Sequence, residues 1–429
     1  MMNILAINPW IYDFAAYDFW LKPYGFLVML SYLKQRGVGV DYIDCLGHKT
    51  IPGTFGRGKY YAEIIEKPEV FRSIPRYFKR YGITIEDFRA ALEKTKPDYI
   101  LITSSMTYWY PGIIEVVRLI KEKFPATPIM IGGTYVTLCH EHASHTFPYA
   151  SLFKNNRLGD FFRAIDIPFD AEEFFATVVT YEHFYDRFDY VVFRTSWGCP
   201  FNCNYCAIKE LFPDFFRITP EKILNFISCY AQKGMKDFVF YDEALLYEPH
   251  YTKTLLKLIA QLDIPLRFHT PNALHMRFLD EEIASLLKKT GFTNPHFGLE
   301  TLNPELQKLW GDKVNTHDVV KGIEALKRAG FKNGTFSVYL LLGYPGQNLE
   351  ELRQDVKLLH TLGARVSLAE FSPVPGTEIF KQYGKEFLEP LLQNNSIFGF
   401  FQKDKIRDFW EIKNYVRELN KKVSIEGSP

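Results

Sequence analysis

The sequence predicts an α/β protein. An N-terminal domain built on a parallel sheet precedes an incomplete barrel of strand–helix units and a small helical C-terminal segment. Two observations predict this class. Short apolar runs alternate with segments of helical periodicity over residues 3–133, and a second alternating series begins near residue 190. Apolar residues make up 47% of the chain and charged residues 24%, which is typical of a globular protein and excludes disorder.

The first series begins with a strand over residues 3–8 that ends at Asn8-Pro9. A helix over 24–36 and a strand over 38–44 follow. After Pro97 come a further strand, a helix over 111–124 and a strand over 128–133. Ligands of parallel sheets bind beyond the carboxyl ends of the strands. The candidate residues at these ends are Pro9, Trp10, Ser104, Ser105, Thr107, Gly132 and Gly133.

Residues 46–90 interrupt the first series, with basic residues interleaved among Tyr and Phe. We interpret them as a solvated helical excursion, with a lid or substrate-contacting insertion as the alternative. The predicted domain boundaries are 1–150 for the first domain, 151–188 for a linker, 189–383 for the barrel and 384–429 for the helical C-terminal segment.

The second series contains six strand–helix units, short of the eight in a closed barrel. Its helices are expected over 219–232, 250–262, 280–290, 316–329 and 348–361. Its strands lie in the segments YVVFRTS, KDFVFYDE, PLRFHT, NPHFGLET, GTFSVYLLLG and RVSLAEFSP. Thr219 and Pro220 are expected to cap and open the first of these helices.

The charge balance excludes some classes of partner. Lys and Arg number 51 and Asp and Glu 50, so the formal net charge is +1 and gives no electrostatic reason to expect nucleic acid or an anionic membrane. No apolar run approaches the roughly 18 residues that span a bilayer. The N-terminus has neither a basic region nor a small-residue cleavage site. We expect a cytoplasmic protein.

Three of the six cysteines are clustered. Cys199, Cys203 and Cys206 have the spacing C-x3-C-x2-C in a loop directly after a strand. Three thiolates on a four-iron cluster leave one iron open to substrate or cofactor. A zinc site completed by a distant fourth ligand, or chance, is the alternative. The scattered cysteines are expected to be small buried hydrophobic residues: Cys45, Cys139 and Cys229.

The cysteine segment and the strand ends that follow it resemble the radical S-adenosylmethionine (SAM) superfamily, including the aromatic Tyr205 before the last cysteine. The resemblance implies a partial (β/α)6 barrel of the TIM type. It also implies a 4Fe–4S cluster on Cys199, Cys203 and Cys206 whose open iron chelates SAM. The reduced cluster of that family cleaves SAM to methionine and a 5′-deoxyadenosyl radical, which abstracts hydrogen from an inert carbon.

Further matches to that superfamily are found at the strand ends. Tyr241-Asp242-Glu243 stands where the family has a Gly-Gly-Glu-type segment that contacts the SAM amino group. Although the two glycines are absent, this position makes Asp242 and Glu243 candidates for binding that group. Glu300 matches an acidic residue of the fourth strand. The loop with Gly343, Pro345 and Gly346, and a second loop over 373–377, resemble those that flank the adenosine.

Residues 1–140 resemble the cobalamin-binding-type, Rossmann-like domain that precedes the barrel in one subclass of this superfamily. The resemblance rests on ILAINPW, Pro23-Tyr-Gly-Phe26, Lys96-Pro-Asp98 and Ile131-Gly-Gly-Thr134. It implies that cobalamin lies against the strand-end residues from Pro9 to Gly133. The D-x-H-x-x-G motif of other cobalamin enzymes is absent, and KNNRLGD replaces the usual acidic segment.

Together these resemblances imply a cobalamin-dependent radical SAM methyltransferase that acts on an unactivated carbon. The alternatives are a radical SAM rearrangement, ring-forming or coupling enzyme that does not use cobalamin, and a non-catalytic iron–sulfur protein. The expected cofactors are a 4Fe–4S cluster, SAM and cobalamin, with an external electron donor such as flavodoxin or ferredoxin as partner. No residue is identified as a general base, and the substrate is not indicated.

Overall fold

The computed structural model describes residues 2–47, 49–401 and 405–427. The predicted parallel sheet is present in the N-terminal domain, in the strand order β10-β9-β8-β1-β3. The strands of this half are β1 (Asn3–Asn8), β2 (Ile11–Asp13), β3 (Gly39–Asp44), β4 (Lys49–Pro52), β5 (Gly58–Tyr60), β6 (Ala62–Ile64), β7 (Lys79–Tyr81), β8 (Tyr99–Ile102), β9 (Ile129–Gly132) and β10 (Ser151–Phe153). The helices are α1 (Tyr24–Gln35), α2 (Ile85–Leu92), α3 (Tyr110–Lys123), α4 (Thr134–Leu138), α5 (His140–Thr146), α6 (Leu158–Ala164) and α7 (Ala171–Phe175).

The interior strand β1 is buried on both faces of this sheet, as its nearly continuous apolar run indicates. In β1, Ile4 and Ala6 pack into one hydrophobic cluster, while Leu5 and Ile7 pack into another on the opposite face. The strand pairs in parallel with both β3 and β8. The edge strand β10 lies just beyond the predicted domain boundary at residue 150.

The prediction of a helical excursion over residues 46–90 was wrong. The described part of this insertion consists mainly of short antiparallel strands: β4 pairs with β5, and β7 pairs with both β2 and β6. Some of its basic and aromatic residues belong to strands, and Arg80 in β7 forms an ion pair with Glu63 on the neighbouring strand β6. Such cross-strand pairs stabilise a sheet. A sequence in which charged residues alternate with Tyr is compatible with either a solvated helix or such strands, so the sequence did not reveal them.

The barrel contains the six predicted parallel strands, in two sheets of order β11-β14-β15 and β16-β17-β18. Two isolated bridges, Phe268 to Phe292 and Leu274 to Phe297, lie at the junction of the two sheets. Thr219 is the N-cap residue of α9, but its side chain makes no capping hydrogen bond. The strands are β11 (Val191–Phe193), β12 (Ser196–Trp197), β13 (Phe216–Arg217), β14 (Asp237–Phe240), β15 (Arg267–His269), β16 (His296–Glu300), β17 (Ser337–Leu342) and β18 (Arg365–Glu370). The helices are α8 (Ile208–Leu211), α9 (Pro220–Gln232), α10 (Pro249–Ile259), α11 (Glu281–Thr290), α12 (Pro304–Leu309), α13 (Thr316–Arg328), α14 (Leu349–Thr361) and α15 (Glu378–Tyr383).

The C-terminal segment is helical, as predicted, in α16 (Asn395–Phe401) and α17 (Ile406–Gly427). The side chain of Asn420 in α17 donates to the carbonyl of Val366 at 2.8 Å and accepts from its N–H at 3.0 Å. This pairing covers part of the free edge of β18. Residues 428 and 429 of the predicted tail lie outside the described residues. Across the described part of the chain, no helix is both long enough and apolar enough to cross a membrane.

Candidate active site

The three clustered cysteines lie in the loop that leaves the barrel after β12. Gly198 opens this loop with a φ of +74°, and a Cβ atom there would lie 2.3 Å from the carbonyl oxygen of Asp214. The N–H of Cys206 donates to the carbonyl of Cys203 at 3.1 Å, which closes a tight turn. Burial raises the pKa of the Cys199 thiol to about 11. The loop therefore holds the three thiols in one small region, in a fixed backbone conformation.

The donor set fits an iron–sulfur cluster better than a single metal ion. Zinc would draw the sulfur atoms to about 2.3 Å from one point. Among the described residues, no group of three or more His, Cys, Asp or Glu side chains is arranged to hold one ion. After burial, the charges of Cys203 and Cys199 are among the causes that raise the pKa of Cys206, so the thiols are near one another without converging. A four-iron cluster binds each of three thiolates at a different iron atom, so the sulfur atoms can be farther apart.

The scattered cysteines are only partly as predicted. Cys45 and Cys139 are buried, but Cys229 is exposed, so the prediction for Cys229 was wrong. Cys229 lies on the outer face of α9, whose buried stripe is formed by Ile223, Phe226, Ile227, Tyr230 and Ala231. Among these three scattered cysteines it is therefore the accessible thiol.

A segment that sequence reasoning missed packs directly on the cysteine loop. The connection between α12 and α13 contains Trp310, Gly311 and Lys313. Gly311 has a φ of +112°, and a Cβ atom there would lie 2.9 Å from the Cα atom of Cys203. The Trp310 ring meets the Tyr205 ring edge-on, with a centroid distance of 6.1 Å. The only sequence signal for this contact is a glycine after a helix, and most glycines in that position simply end the helix.

Lys313 forms an ion pair with the predicted SAM residue Glu300. Its Nζ lies 2.5 Å from Oε1 of Glu300, and the two side chains are 14% and 11% exposed. Glu300 has a left-handed φ of +70°, and the register between β16 and β17 shifts at this point. Backbone of this kind is costly for a residue with a side chain and is found where function demands it. Burial opposes the charge on Lys313, but the charges of Glu300 and Cys203 outweigh it and raise its pKa.

The carboxylate of Asp242, one of the predicted SAM residues, accepts several hydrogen bonds from protein donors. It accepts hydrogen bonds from the Thr195 N–H at 3.0 Å, the Thr195 hydroxyl at 2.5 Å and the Ser196 hydroxyl at 2.7 Å. Arg217 lies at 4.0 Å. Asp242 therefore fixes the start of the cysteine loop to the end of β14. The sequence shows a carboxylate at a strand end but not the hydroxyls that face it.

Glu243 lies on the cluster side of the barrel mouth. It pairs with Arg194 at 2.5 Å, and both side chains are largely buried. Burial raises its pKa, although Arg194 counteracts this effect. The charge of Glu243 is also among the causes that raise the pKa of Cys199. Of the two adjacent acidic candidates, Glu243 is the one near the cluster thiols.

The loop after β17 reaches the cysteine loop through an aromatic residue. The side chain of Asn204 donates to the hydroxyl of Tyr344 at 2.9 Å, and Tyr344 packs on Trp310 at 4.5 Å between centroids. The Gln347 side chain closes the loop by accepting from the N–H of Gly343 at 2.8 Å. Gly346 has a φ of +76° and open space around its Cα atom. The predicted SAM residues of this loop, Gly343, Pro345 and Gly346, are thus beside the cluster loop.

A small cavity of about 20 Å³ lies beyond the strand ends of the N-terminal sheet. Four of the predicted cobalamin residues line it: Pro9, Trp10, Ser104 and Ser105. Thr107, Gly132 and Gly133 are not in its wall. A Cβ atom at Gly133 would lie 2.2 Å from the Ser104 carbonyl oxygen, so this glycine is required by the backbone. Ligand pockets typically measure about 300–1,000 Å³, so this cavity does not enclose a cobalamin, which would meet these residues only at the cavity mouth.

One segment forms a wall shared by this cavity and the barrel mouth. Leu21 and Pro23 line the cavity. On the other side of the same segment, the hydroxyl of Tyr241, just beyond β14, donates to the carbonyl of Trp20. The N–H of Lys22 donates to the same hydroxyl at 3.3 Å. The wall of the N-terminal cavity is therefore in direct contact with the carboxyl end of the barrel strand β14.

Comparison with known proteins identifies one domain in each half of the chain. Residues 194–359 match the family model of the radical SAM superfamily, and residues 77–150 match that of the B12 binding domain. An uncharacterised methyltransferase of Pyrococcus horikoshii is 23% identical over 46% of this chain and 42% of its own length. A ribosomal protein uS12 methylthiotransferase of Prochlorococcus marinus is 25% identical over 48% of this chain and 47% of its own. The matches thus cover less than half the length of these relatives.

Two solved structures share the fold over most of the chain. The radical SAM methyltransferase TsrM from Kitasatospora setae, solved with cobalamin and a 4Fe–4S cluster bound, aligns with a TM-score of 0.66 and 17% identity over 90% of this chain and 78% of its own. The cobalamin-dependent radical SAM enzyme OxsB with aqua-cobalamin bound aligns with a TM-score of 0.58 and 13% identity over 91% and 56%. At 17% and 13% identity, these structural similarities show that the folds are alike and no more than that.

The cofactors of the two matched domain types are a 4Fe–4S cluster with SAM in the barrel and cobalamin in the N-terminal domain. The chain therefore contains a radical SAM domain over residues 194–359, which includes the cysteine loop, and a B12 binding domain over residues 77–150 ahead of it.

Proposed function

We propose that this protein is a cobalamin-dependent radical SAM methyltransferase that acts on an unactivated carbon. The observation that supports the proposal most strongly is the shared wall formed by residues 20–23. It borders the cavity at the N-terminal strand ends through Leu21 and Pro23, and it meets the barrel mouth through Tyr241. Transfer of a methyl group between the two domains requires this proximity.

The bound cofactors would supply the electron that cleaves SAM and the methyl group to be transferred. The protein's own residues would position them. Cys199, Cys203 and Cys206 would hold the cluster, while Glu243 and Glu300 offer carboxylates for the positively charged amino group of SAM. Trp10, which lines the N-terminal cavity, and Trp197, which precedes the cysteine loop, are 1% and 2% exposed and would help to exclude water from these regions.

The proposal includes an external one-electron donor of the flavodoxin or ferredoxin class. It also includes a cytoplasmic location. The substrate is a molecule with a carbon–hydrogen bond too inert for acid–base chemistry, because radical abstraction is needed only there.

A second candidate is a radical SAM rearrangement, ring-forming or coupling enzyme that does not use cobalamin. The size of the N-terminal cavity favours it, because about 20 Å³ is far too small for a corrin. In that case the N-terminal domain would contribute only to substrate binding or to stability.

Anaerobic reconstitution separates the two candidates. The protein is loaded with iron and sulfide, incubated with hydroxocobalamin, desalted, and then given SAM and a reductant. We expect retained cobalamin close to one per chain together with 5′-deoxyadenosine formation. Cluster-loaded protein that cleaves SAM but retains no cobalamin would contradict the methyltransferase proposal in favour of the second candidate. A full cluster without SAM cleavage would contradict both.

A further inference from the structure

Lys313 places a buried positive charge beside the cysteine loop, and neither the sequence prediction nor the proposed mechanism uses it. Its Nζ is 5.8 Å from the centroid of the Tyr205 ring and 2.5 Å from Oε1 of Glu300. Its side chain is 14% exposed. A lysine is seldom buried to this extent unless its charge is paired.

The position of this charge is fixed by the surrounding backbone. Gly311 allows the connection between α12 and α13 to approach Cys203 within van der Waals distance. The N–H of Asp312 donates to the carbonyl of Gln307 at 2.8 Å, and the buried Gln307 side chain donates to the carbonyl of Thr301 at 2.9 Å. Lys313 is thus held in place by the hydrogen bonds of its backbone segment, and its ammonium group by the ion pair.

Both charges of the ion pair lie beside the cysteine loop. The Nζ atom of Lys313 is 5.8 Å from the ring centroid of Tyr205, the residue before Cys206. Gly311, two residues before Lys313, packs against the backbone of Cys203. Removal of either charge alone therefore leaves the other one uncompensated near the cluster position.

A cation in this position affects reduction more than it affects binding of the oxidised cluster. One-electron reduction adds one negative charge to the cluster and its thiolates, and attraction between opposite charges is weakly screened away from water. The reduction potential of an iron–sulfur cluster depends on such local charge and on solvent exposure.

From this geometry we propose that Lys313 is a positioning residue that raises the reduction potential of the 4Fe–4S cluster, with Glu300 as the counter-charge that limits the effect. The inference rests on the proposed cluster site. Its functional consequence is that a one-electron donor of the flavodoxin or ferredoxin class reduces the cluster more completely than it would without Lys313.

The test is a redox titration of the reconstituted cluster, followed by electron paramagnetic resonance, in the absence of SAM and cobalamin. At a fixed potential, Lys313→Met should lower the ratio of reduced to oxidised cluster about tenfold, which is 59 mV for a one-electron couple. Lys313→Arg should restore most of the ratio. Glu300→Gln should shift it in the opposite direction, because it leaves the cation without its counter-charge.

Lys308→Met is the matched control, since Lys308 is exposed on α12 and its removal changes the net charge equally. A Lys313→Met titration that coincides with the wild type, or an equal shift in Lys308→Met, would overturn the proposal. If Lys313→Met does not assemble a cluster, an unchanged potential in Glu300→Gln would overturn it. The titration needs no SAM, so the shift in reduction potential can be observed even if the proposed methyl transfer does not occur. A wild-type chain that assembles no cluster would overturn both proposals.

Discussion

The strand ends of the two domains differ in their chemistry. The barrel mouth brings together three thiols and two buried ion pairs, Arg194 with Glu243 and Lys313 with Glu300. The cavity at the N-terminal sheet is lined mainly by apolar and aromatic side chains; Asn8, Ser104 and Ser105 are its polar members. The first region is suited to ligation and charge recognition, the second to recognition by shape.

This difference determines how each region can be disrupted. At the barrel mouth, removal of a single donor or charge should suffice, because ligation and buried charge interactions depend on individual groups. At the N-terminal cavity, removal of a single polar group should matter little, whereas a change of volume should matter greatly. The following substitutions test this contrast, from the largest expected effect to the smallest.

Replacement of a cluster ligand should have the largest effect. Cys203→Ala should abolish the iron–thiolate absorption and the SAM cleavage, because two cysteines and a methyl group do not hold a four-iron cluster. Iron and sulfide analysis after anaerobic reconstitution measures this directly. Cys229→Ala is the control, since that thiol is exposed on α9. A complete cluster in Cys203→Ala would refute the assignment.

A bulky residue in the N-terminal cavity should abolish cobalamin uptake and leave the cluster unchanged. Ser105→Trp introduces an indole at the wall of the small cavity beyond the strand ends, where the corrin would make contact. Retained cobalt after desalting is the readout, with iron content as the internal reference. Ser144→Trp on the exposed face of α5 is the matched control. If Ser105→Trp retains as much cobalamin as Ser144→Trp, the cofactor does not contact the wall of this cavity.

Loss of a charge at the barrel mouth should weaken SAM binding by an intermediate amount. A hydrogen bond to a charged group contributes about 1.5–3 kcal/mol, so Glu300→Gln should raise the dissociation constant of SAM roughly ten- to a hundredfold. Equilibrium binding of SAM to the cluster-loaded protein measures it. Glu305→Gln, on an exposed position of α12, should bind SAM like the wild type. Equal affinity in both variants would place SAM elsewhere.

The glycine that lets the Lys313 segment approach the cysteine loop should give the smallest effect. Gly311→Ala forces a side chain into left-handed backbone and toward Cys203, which should cost about 1–3 kcal/mol of unfolding free energy and reduce cluster occupancy. Gly330→Ala is the control: it has a φ of +90° but nothing within 4 Å of a Cβ atom. Gly330→Ala should therefore lower the free energy of unfolding without lowering the iron content. Equal iron content in the two variants would show that the contact with Cys203 is unimportant.

The sequence predicted the parallel sheet and the barrel strands because each signal is local. Apolar runs of strand length alternate with helical periodicity, and three cysteines at this spacing in one short loop are typical of a metal centre. The two matched domains bear out the cofactor prediction. The roles of the individual SAM and cobalamin residues remain predictions.

What the sequence did not show depends on contacts between distant parts of the chain. Lys313 and Gly311 approach Cys203 only through the packing of the connection between α12 and α13. Asp242 was identified as a strand-end carboxylate, but Thr195 and Ser196, which occupy it, belong to another strand end. Spacing in the sequence contains no information about such partners.

The central claim is that the N-terminal strand ends and the barrel mouth hold two cofactors close enough to exchange a methyl group. The most direct measurement is electron paramagnetic resonance of protein that contains both a reduced cluster and cob(II)alamin. We predict a base-off cob(II)alamin signal, since no D-x-H-x-x-G histidine is present, broadened or split by the nearby cluster spin. Two unperturbed signals, each identical to that of the singly loaded protein with both sites full, would contradict the account.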